Sequence, residues 1–230
     1  MLNKPYRAGD EPVSGSVYPD QLRREMLRYV PEHARNVLDV GCHTGAFGAA
    51  LKARQNCSVW GVEPNKETAA VAAGRLDRVL NGLFESSAPA IPIGSFDVIV
   101  FNDVLEHFAD PWAALKLARE RLAPGGCVVA SIPNLRFIDN LLHIVKDQDF
   151  CYQATGIRDR THLRFFTRKS VERLFAEAGY RVEQLEGVNE MWWTPSLVRR
   201  MAFRLLPSRL EDTKYVQFAV VARPMSGSHG

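Results

Sequence analysis

The chain has 230 residues, enough for one full hydrophobic core, and its 46% hydrophobic and 24% charged residues are the balance of a globular protein. A net charge of +3 gives no reason to expect a nucleic-acid partner. No apolar run approaches the ~18 residues of a transmembrane helix, and the opening MLNKPYRAGDEPVSGS lacks the apolar core of a signal peptide. Cys42, Cys57, Cys127 and Cys151 form neither a C-x-x-C pair nor a zinc spacing, so a reduced, cytoplasmic compartment is expected.

Residues 1–16 are polar and expected to be a frayed, flexible segment. Leu22, Met26, Leu27 and Val30 then share one face of a short helix ended by Pro31. From there strands and helices alternate. NVLDVG reads as a strand entering a glycine-bearing loop, and AFGAALKAR as the helix after it. CSVWGVEP is a second strand stopped by Pro64, KETAAVAAGRL an alanine-rich helix, DRVLNG a weak strand and SFDVIVFN a strong buried one. Asp110 caps and Pro111 opens a helix whose inward face is Trp112, Leu115, Ala118 and Leu122. APGG stops it, and CVVASIP is the fifth strand. Residues 134–166 break the alternation with a helix, FIDNLLHIVK, and a polar loop. Thr167 caps a helix that turns Val171, Leu174, Phe175 and Ala178 inward and ends at Gly179. YRVEQLEGV and KYVQFAVVARP close the chain as two strands. This alternation predicts a doubly wound α/β fold with helices on both faces of a parallel sheet.

In such a sheet, ligands lie beyond the carboxyl ends of the strands, at the switch point. The first loop, DVGCHTG, does not have the G-x-G-x-x-G spacing that grips a pyrophosphate, and His43 interrupts it. Asp39 stands two residues before Gly41, and Glu63 closes the second strand 22 residues beyond Gly41. A carboxylate there can accept hydrogen bonds from both hydroxyls of a ribose. The ligand indicated has a ribose and no pyrophosphate, and S-adenosylmethionine fits that description.

Four stretches in order, LDVGCHTG, WGVEPN, SFDVIVFNDVLEH and LAPGGCVVASIPN, resemble the motifs of class I S-adenosylmethionine-dependent methyltransferases, in their ubiquinone-biosynthesis-like branch. THLRFFTRKSVERLFAEAGY is similar to bacterial members of that branch, many of them associated with polysaccharide loci. The resemblance spans roughly residues 18–223. It implies a Rossmann-like sheet of seven strands, ordered 3-2-1-4-5-7-6 with the last antiparallel. It also implies a single domain over 17–224, with substrate-side insertions at about 134–166 and 190–212 and a tail at 225–230. By position, Asp39, Gly41, Cys42 and Gly45 would shape the loop around the methionine part of the cofactor. Glu63 would bind the ribose, and Asn102 and Asp103 would sit near the methionine or the sulfonium. The adenine would lie near Leu83, Phe84 and Glu85. Leu83 stands where relatives often carry an aspartate for the adenine amino group, which leaves the Phe84 backbone to read the base edge and its ring to pack on it.

A hydroxyl acceptor must lose its proton. His107, in DVLEH, and His162, in IRDRTHLRFF, are the candidate bases; either could instead simply order its loop. Arg164 is the candidate for an anionic group on the acceptor, with Tyr152 and His143 as further acceptor contacts. Asp103, Glu106 and His107 resemble D/E-x-x-E-H stretches that bind a divalent ion in some ubiquinone-pathway relatives. A short acidic stretch at a strand end is ordinarily polar loop, so no metal is expected. Near the end, Leu197, Val198, Met201 and Leu205 oppose Arg199, Arg200 and Arg204. That helix could be a lid, a dimer surface, or a peripheral contact with anionic lipid through 194–209. The expected activity is methyl transfer from S-adenosylmethionine to a small-molecule or glycan-type acceptor, foremost at oxygen and next at nitrogen. A non-catalytic S-adenosylmethionine-binding regulator and a nicotinamide-dependent oxidoreductase are the alternatives; the loop spacing and the motif order speak against the second.

Overall fold

The computed structural model describes residues 22–190 and 208–225. Expectations for 1–16, for the basic helix over 197–205 and all but the last two residues of the 194–209 lipid contact, and for the tail from 226 lie outside these residues. Strands β1 (Asn36–Val40), β2 (Ser58–Glu63), β3 (Arg78–Asn81), β4 (Phe96–Asn102), β5 (Leu122–Pro133), β6 (Tyr180–Glu190) and β7 (Tyr215–Pro224) form one sheet. Its order is β3-β2-β1-β4-β5-β7-β6, as the motifs imply. The first five pair in parallel, and β7 runs antiparallel to both β5 and β6.

The central strands are apolar on both faces because both are covered. Leu38, Val40, Ile99, Phe101, Val128 and Ile132 pack on one side with Leu115 of α5 (Pro111–Arg121) and Leu174 and Phe175 of α7 (Arg168–Glu177). Val37, Val98, Val100 and Val129 pack on the other with Met26 and with Phe47 and Leu51 of α2 (Ala46–Arg54). Local chemistry sets the helix starts. The Asn65 side chain accepts from the N–H groups of Glu67 and Thr68 and opens α3 (Lys66–Ala73), and α4 (Phe84–Ser87) is a single turn after β3. Asp110 accepts from Ala113 N–H ahead of Pro111, and Thr167 and Ser170 cap α7 reciprocally.

Three elements differ from expectation. The first helix, α1 (Arg24–Leu27), is one turn long, because Arg23 at φ 45° breaks the helical path and leaves Leu22 37% exposed. On α5 the inward residues are Ala114, Leu115 and Ala118; Trp112 is only partly buried and donates its indole N–H to Glu177. Leu122 leaves the helix to pair with Phe96, so APGG is an irregularity inside β5 and not merely a helix stop. Gly126 is needed there, since a Cβ would meet the carbonyl oxygens of Phe96 and Asp97 at 3.0 and 3.1 Å. Between β5 and α7, the helix α6 (Ile138–Lys146) and the loop after it lie at the carboxyl end of the sheet.

Candidate active site

β1 and β4 are neighbours whose connections leave in opposite directions, so their carboxyl ends open a crevice. A cavity of about 1320 Å³ occupies it, beyond the ~300–1,000 Å³ of an ordinary small-ligand pocket. Its floor is the loop after β1. Gly41 and Gly45 have φ of 72° and 77°, and a Cβ on Gly41 would stand 2.5 Å from Val104. His43 also takes a left-handed φ, 50°, which a glycine would adopt freely. Its N–H donates to Glu63 Oε2 at 2.8 Å, and Asn65 N–H donates to Oε1 at 2.9 Å. Each oxygen therefore keeps a lone pair, and the carboxylate lines the cavity.

Asp39 and Asn102, at the ends of β1 and β4, also line the cavity. Asp39 Oδ2 and both amide atoms of Asn102 are buried with no hydrogen-bond partner among the described residues. Buried polar groups are ordinarily paired, so these atoms are the ones on this wall that a polar ligand could satisfy. Burial, with the Glu63 charge added, pushes the Asp39 carboxyl up to about 7. Cys42 also lines the cavity, with its thiol close against Gly61, and burial raises its pKa.

Two expected contacts take another form. The Phe84 ring is 2% exposed and stacks edge-on against Phe101 at 5.8 Å, so it belongs to the core and does not lie flat on a base. Leu83, 61% exposed beside it, is the free apolar surface at that corner. Asp103, at φ 54°, is already occupied. Arg23 pairs with its Oδ2, and Ser131 and Gln217 donate to its Oδ1 at 3.0 and 2.7 Å. Sequence reading missed Arg23 and Gln217, which reach this carboxylate from distant parts of the chain.

The far wall is built by the loop before α7. Leu163 and Arg164 donate their N–H groups to the Glu106 carbonyl at 2.8 and 3.0 Å. This stitch brings His162 against the 3-10 turn Leu105–His107. The rings of His107 and His162 meet edge to face at 4.7 Å. His162 Nδ1 lies 3.0 Å from the Ile157 carbonyl, which can only accept, so Nδ1 carries the hydrogen and Nε2 offers a lone pair. Burial, and then the neighbouring His107, hold His162 below the usual histidine range. His162 Nε2 stands 3.9 Å from Glu106 Oε1, and burial pushes that carboxyl up to about 8. The remaining acceptor candidates do not border the cavity. Arg164 donates to the Ala109 carbonyl at 2.6 Å, and His143 of α6 pairs with Asp147 just beyond its end. Tyr152 joins Phe150 and Phe165 in an aromatic cluster one ring beyond His162.

A family model described as a methyltransferase domain matches residues 16–185. The chain belongs to that family. The match makes it a methyltransferase with S-adenosylmethionine as its cofactor, and the seven-stranded sheet has the order of the class I fold. A ubiquinone biosynthesis O-methyltransferase of Psychrobacter arcticus is 26% identical over 162 residues, covering 67% of this chain and 62% of the relative. One from Thiobacillus denitrificans is 29% identical over 174 residues, covering 70% and 73%. Among solved structures, an S-adenosylmethionine-dependent methyltransferase from Archaeoglobus fulgidus aligns with a TM-score of 0.65 at 19% identity, over 86% of this chain and 90% of its own. A methyltransferase from Haloferax volcanii, solved with the Trm112 activator, aligns at 0.63 and 18% identity over 89% of each chain. These likenesses at low identity are of fold. Among the described residues, no helix of this methyltransferase is long and apolar enough to cross a membrane.

Proposed function

We propose that this methyltransferase O-methylates a small-molecule or glycan-type acceptor whose hydroxyl rests against the His107–His162 wall. The observation that carries the reading is the buried His162 Nε2 lone pair on the wall of a cavity large enough for cofactor and acceptor together. The relatives named as O-methyltransferases support oxygen over nitrogen. In this reading Glu63 holds the ribose diol, Asp39 and Asn102 face the methionine part, and Leu83 covers the adenine. Gly41 and Gly45 let the ligand approach the loop.

Bound S-adenosylmethionine supplies a methyl group on a sulfonium, which is already a good leaving group. The chain's own part is to hold the acceptor oxygen in line, exclude water and take the hydroxyl proton at His162 Nε2. A histidine held below its usual range keeps that lone pair at neutral pH. The test is transfer of labelled methyl from S-adenosylmethionine to a panel of hydroxyl and amine acceptors. Hydroxyl products are expected, with turnover falling by about 100-fold or more in His162→Ala and cofactor affinity unchanged. Amine products alone, or full turnover in the variant, would contradict the reading.

A further inference from the structure

Glu106 is the buried acidic group that the proposed function leaves without a task. It is 1% exposed, lines the cavity, and neither carboxyl oxygen has a hydrogen-bond partner among the described residues. Native proteins rarely leave a buried carboxyl in that state. Its backbone, by contrast, is committed: the Glu106 carbonyl accepts from Leu163 and Arg164 and so fixes the loop that carries His162. The side chain then stands with Oε1 3.9 Å from His162 Nε2, too far for a hydrogen bond and close enough for one charge to act on another.

The charge that moves in the reaction supplies the task. As the acceptor hydroxyl passes its proton to His162 Nε2, its oxygen bonds to the methyl carbon. The carbon–sulfur bond breaks, and its electron pair stays on sulfur. The cofactor thereby loses a positive charge and the imidazole gains one. His162 is 8% exposed and its Nδ1–H is already given to the Ile157 carbonyl, so water does little for the new imidazolium. Of the charged groups around it, His107 repels a cation when it is itself protonated. Asp159 commits its Oδ1 to Thr161 N–H and Oγ1 at 2.8 and 2.7 Å. Arg23, which faces Glu106 from the start of α1, is paired with Glu25 and Asp103. Glu106 is the carboxyl among them with both oxygens uncommitted.

We propose that Glu106 is the counter-charge of the base, a positioning residue whose carboxylate, facing the cavity beside Nε2, stabilises the imidazolium that His162 becomes during transfer. The inference rests on the reading of His162 as the base, and it leaves the Nε2 lone pair free for the acceptor proton. That proton passes to water when the methylated product leaves. The working pair is an ionised Glu106 beside a neutral His162. Burial pushes the Glu106 carboxyl up to about 8, with Arg23 drawing it down and Asp159 adding to the rise. Burial, and then His107, hold His162 below the usual histidine range, so its ring is neutral where Glu106 ionises. Turnover therefore rises as pH passes through about 8.

The test uses the full chain with ring-labelled histidine, the His162 signals being assigned by their loss in His162→Ala. In the parent these signals should shift when the ring is protonated and again at about pH 8, as Glu106 ionises beside it. In Glu106→Gln the second step should be absent. Turnover is read as labelled methyl passed from S-adenosylmethionine to simple phenols and monosaccharides. An opposite charge at this range favours a charged group by about 10-fold or more, so Glu106→Gln should lower kcat by at least that factor. KM and affinity for S-adenosylhomocysteine should stay as they are, and the rise with pH should disappear. Glu106→Asp should restore part of kcat and keep the rise. Thermal melting verifies that each variant is folded. A parent ring without the second step, a Glu106→Gln variant that keeps full kcat, or a loss confined to KM would each overturn the proposal; the base itself stands if His162→Ala has lost turnover. Full turnover in His162→Ala, or no methylated hydroxyl from the parent, would overturn the reading of the base and the counter-charge with it, whatever the ring signals do.

Discussion

In the proposed reading, Asp39 is the residue whose protonation cofactor binding feels. Its carboxyl is pushed up to about 7 by burial and by Glu63, so near neutral pH it is partly protonated. A sulfonium and an ammonium in the cavity favour the ionised form. Affinity for S-adenosylmethionine should therefore rise as pH increases from 6 to 8, about the value that ionisation takes here. Calorimetry across that range checks it, and Asp39→Asn should flatten the profile. The loop glycine is equally exposed to test. Gly41→Ala places a Cβ 2.5 Å from Val104 at a φ of 72°, so a loss of about 1–3 kcal/mol of stability is expected on urea unfolding. At this scale the place of Asp39, Gly41 and Glu63 on the cavity wall was legible because each sits at a fixed offset from a strand end. The burial of the Phe84 ring was not, because its partner Phe101 lies on another strand.

At the scale of elements, boundaries came from side chains that act on their own backbone. Pro64 ends β2 one residue past Glu63, and the Thr167 cap opens α7 at Arg168. Thr167→Ala should cost about 1 kcal/mol by removing one half of the reciprocal cap, read as a lower urea midpoint with an unchanged slope. Where a tertiary contact competes with local pattern, the pattern loses. Leu122 continues the apolar face of α5 on a helical wheel, yet its backbone pairs with Phe96 and it joins the sheet. Arg23 stops α1 short and turns its side chain to Asp103, Ser131 and Gln217. Nothing in the spacing of residues 22–30 announces partners that distant.

For the whole molecule, the alternation announced a parallel sheet covered on both faces, the resemblance implied its strand order, and that order brings β1, β2 and β4 together at one crevice. Phe101 is the hinge of the packing beneath that crevice, fully buried between Phe84 and Phe108. Phe101→Ala should cost about 3–5 kcal/mol in equilibrium unfolding. The proposed acceptor wall was only half legible. His107 and His162 stood out as histidines near the ligand edge, but only the fold shows that the loop carrying His162 is stitched to Glu106 and that Arg164, Tyr152 and His143 face elsewhere.

The central claim is that the nucleoside of the cofactor sits over β1 and β2, its ribose held by Glu63. Calorimetry of S-adenosylhomocysteine binding to the parent and to Glu63→Ala, with melting curves to verify folding, tests it most directly. The account predicts a loss of about 2 kcal/mol, roughly 30-fold in Kd. Equal affinity in the two folded proteins would contradict it.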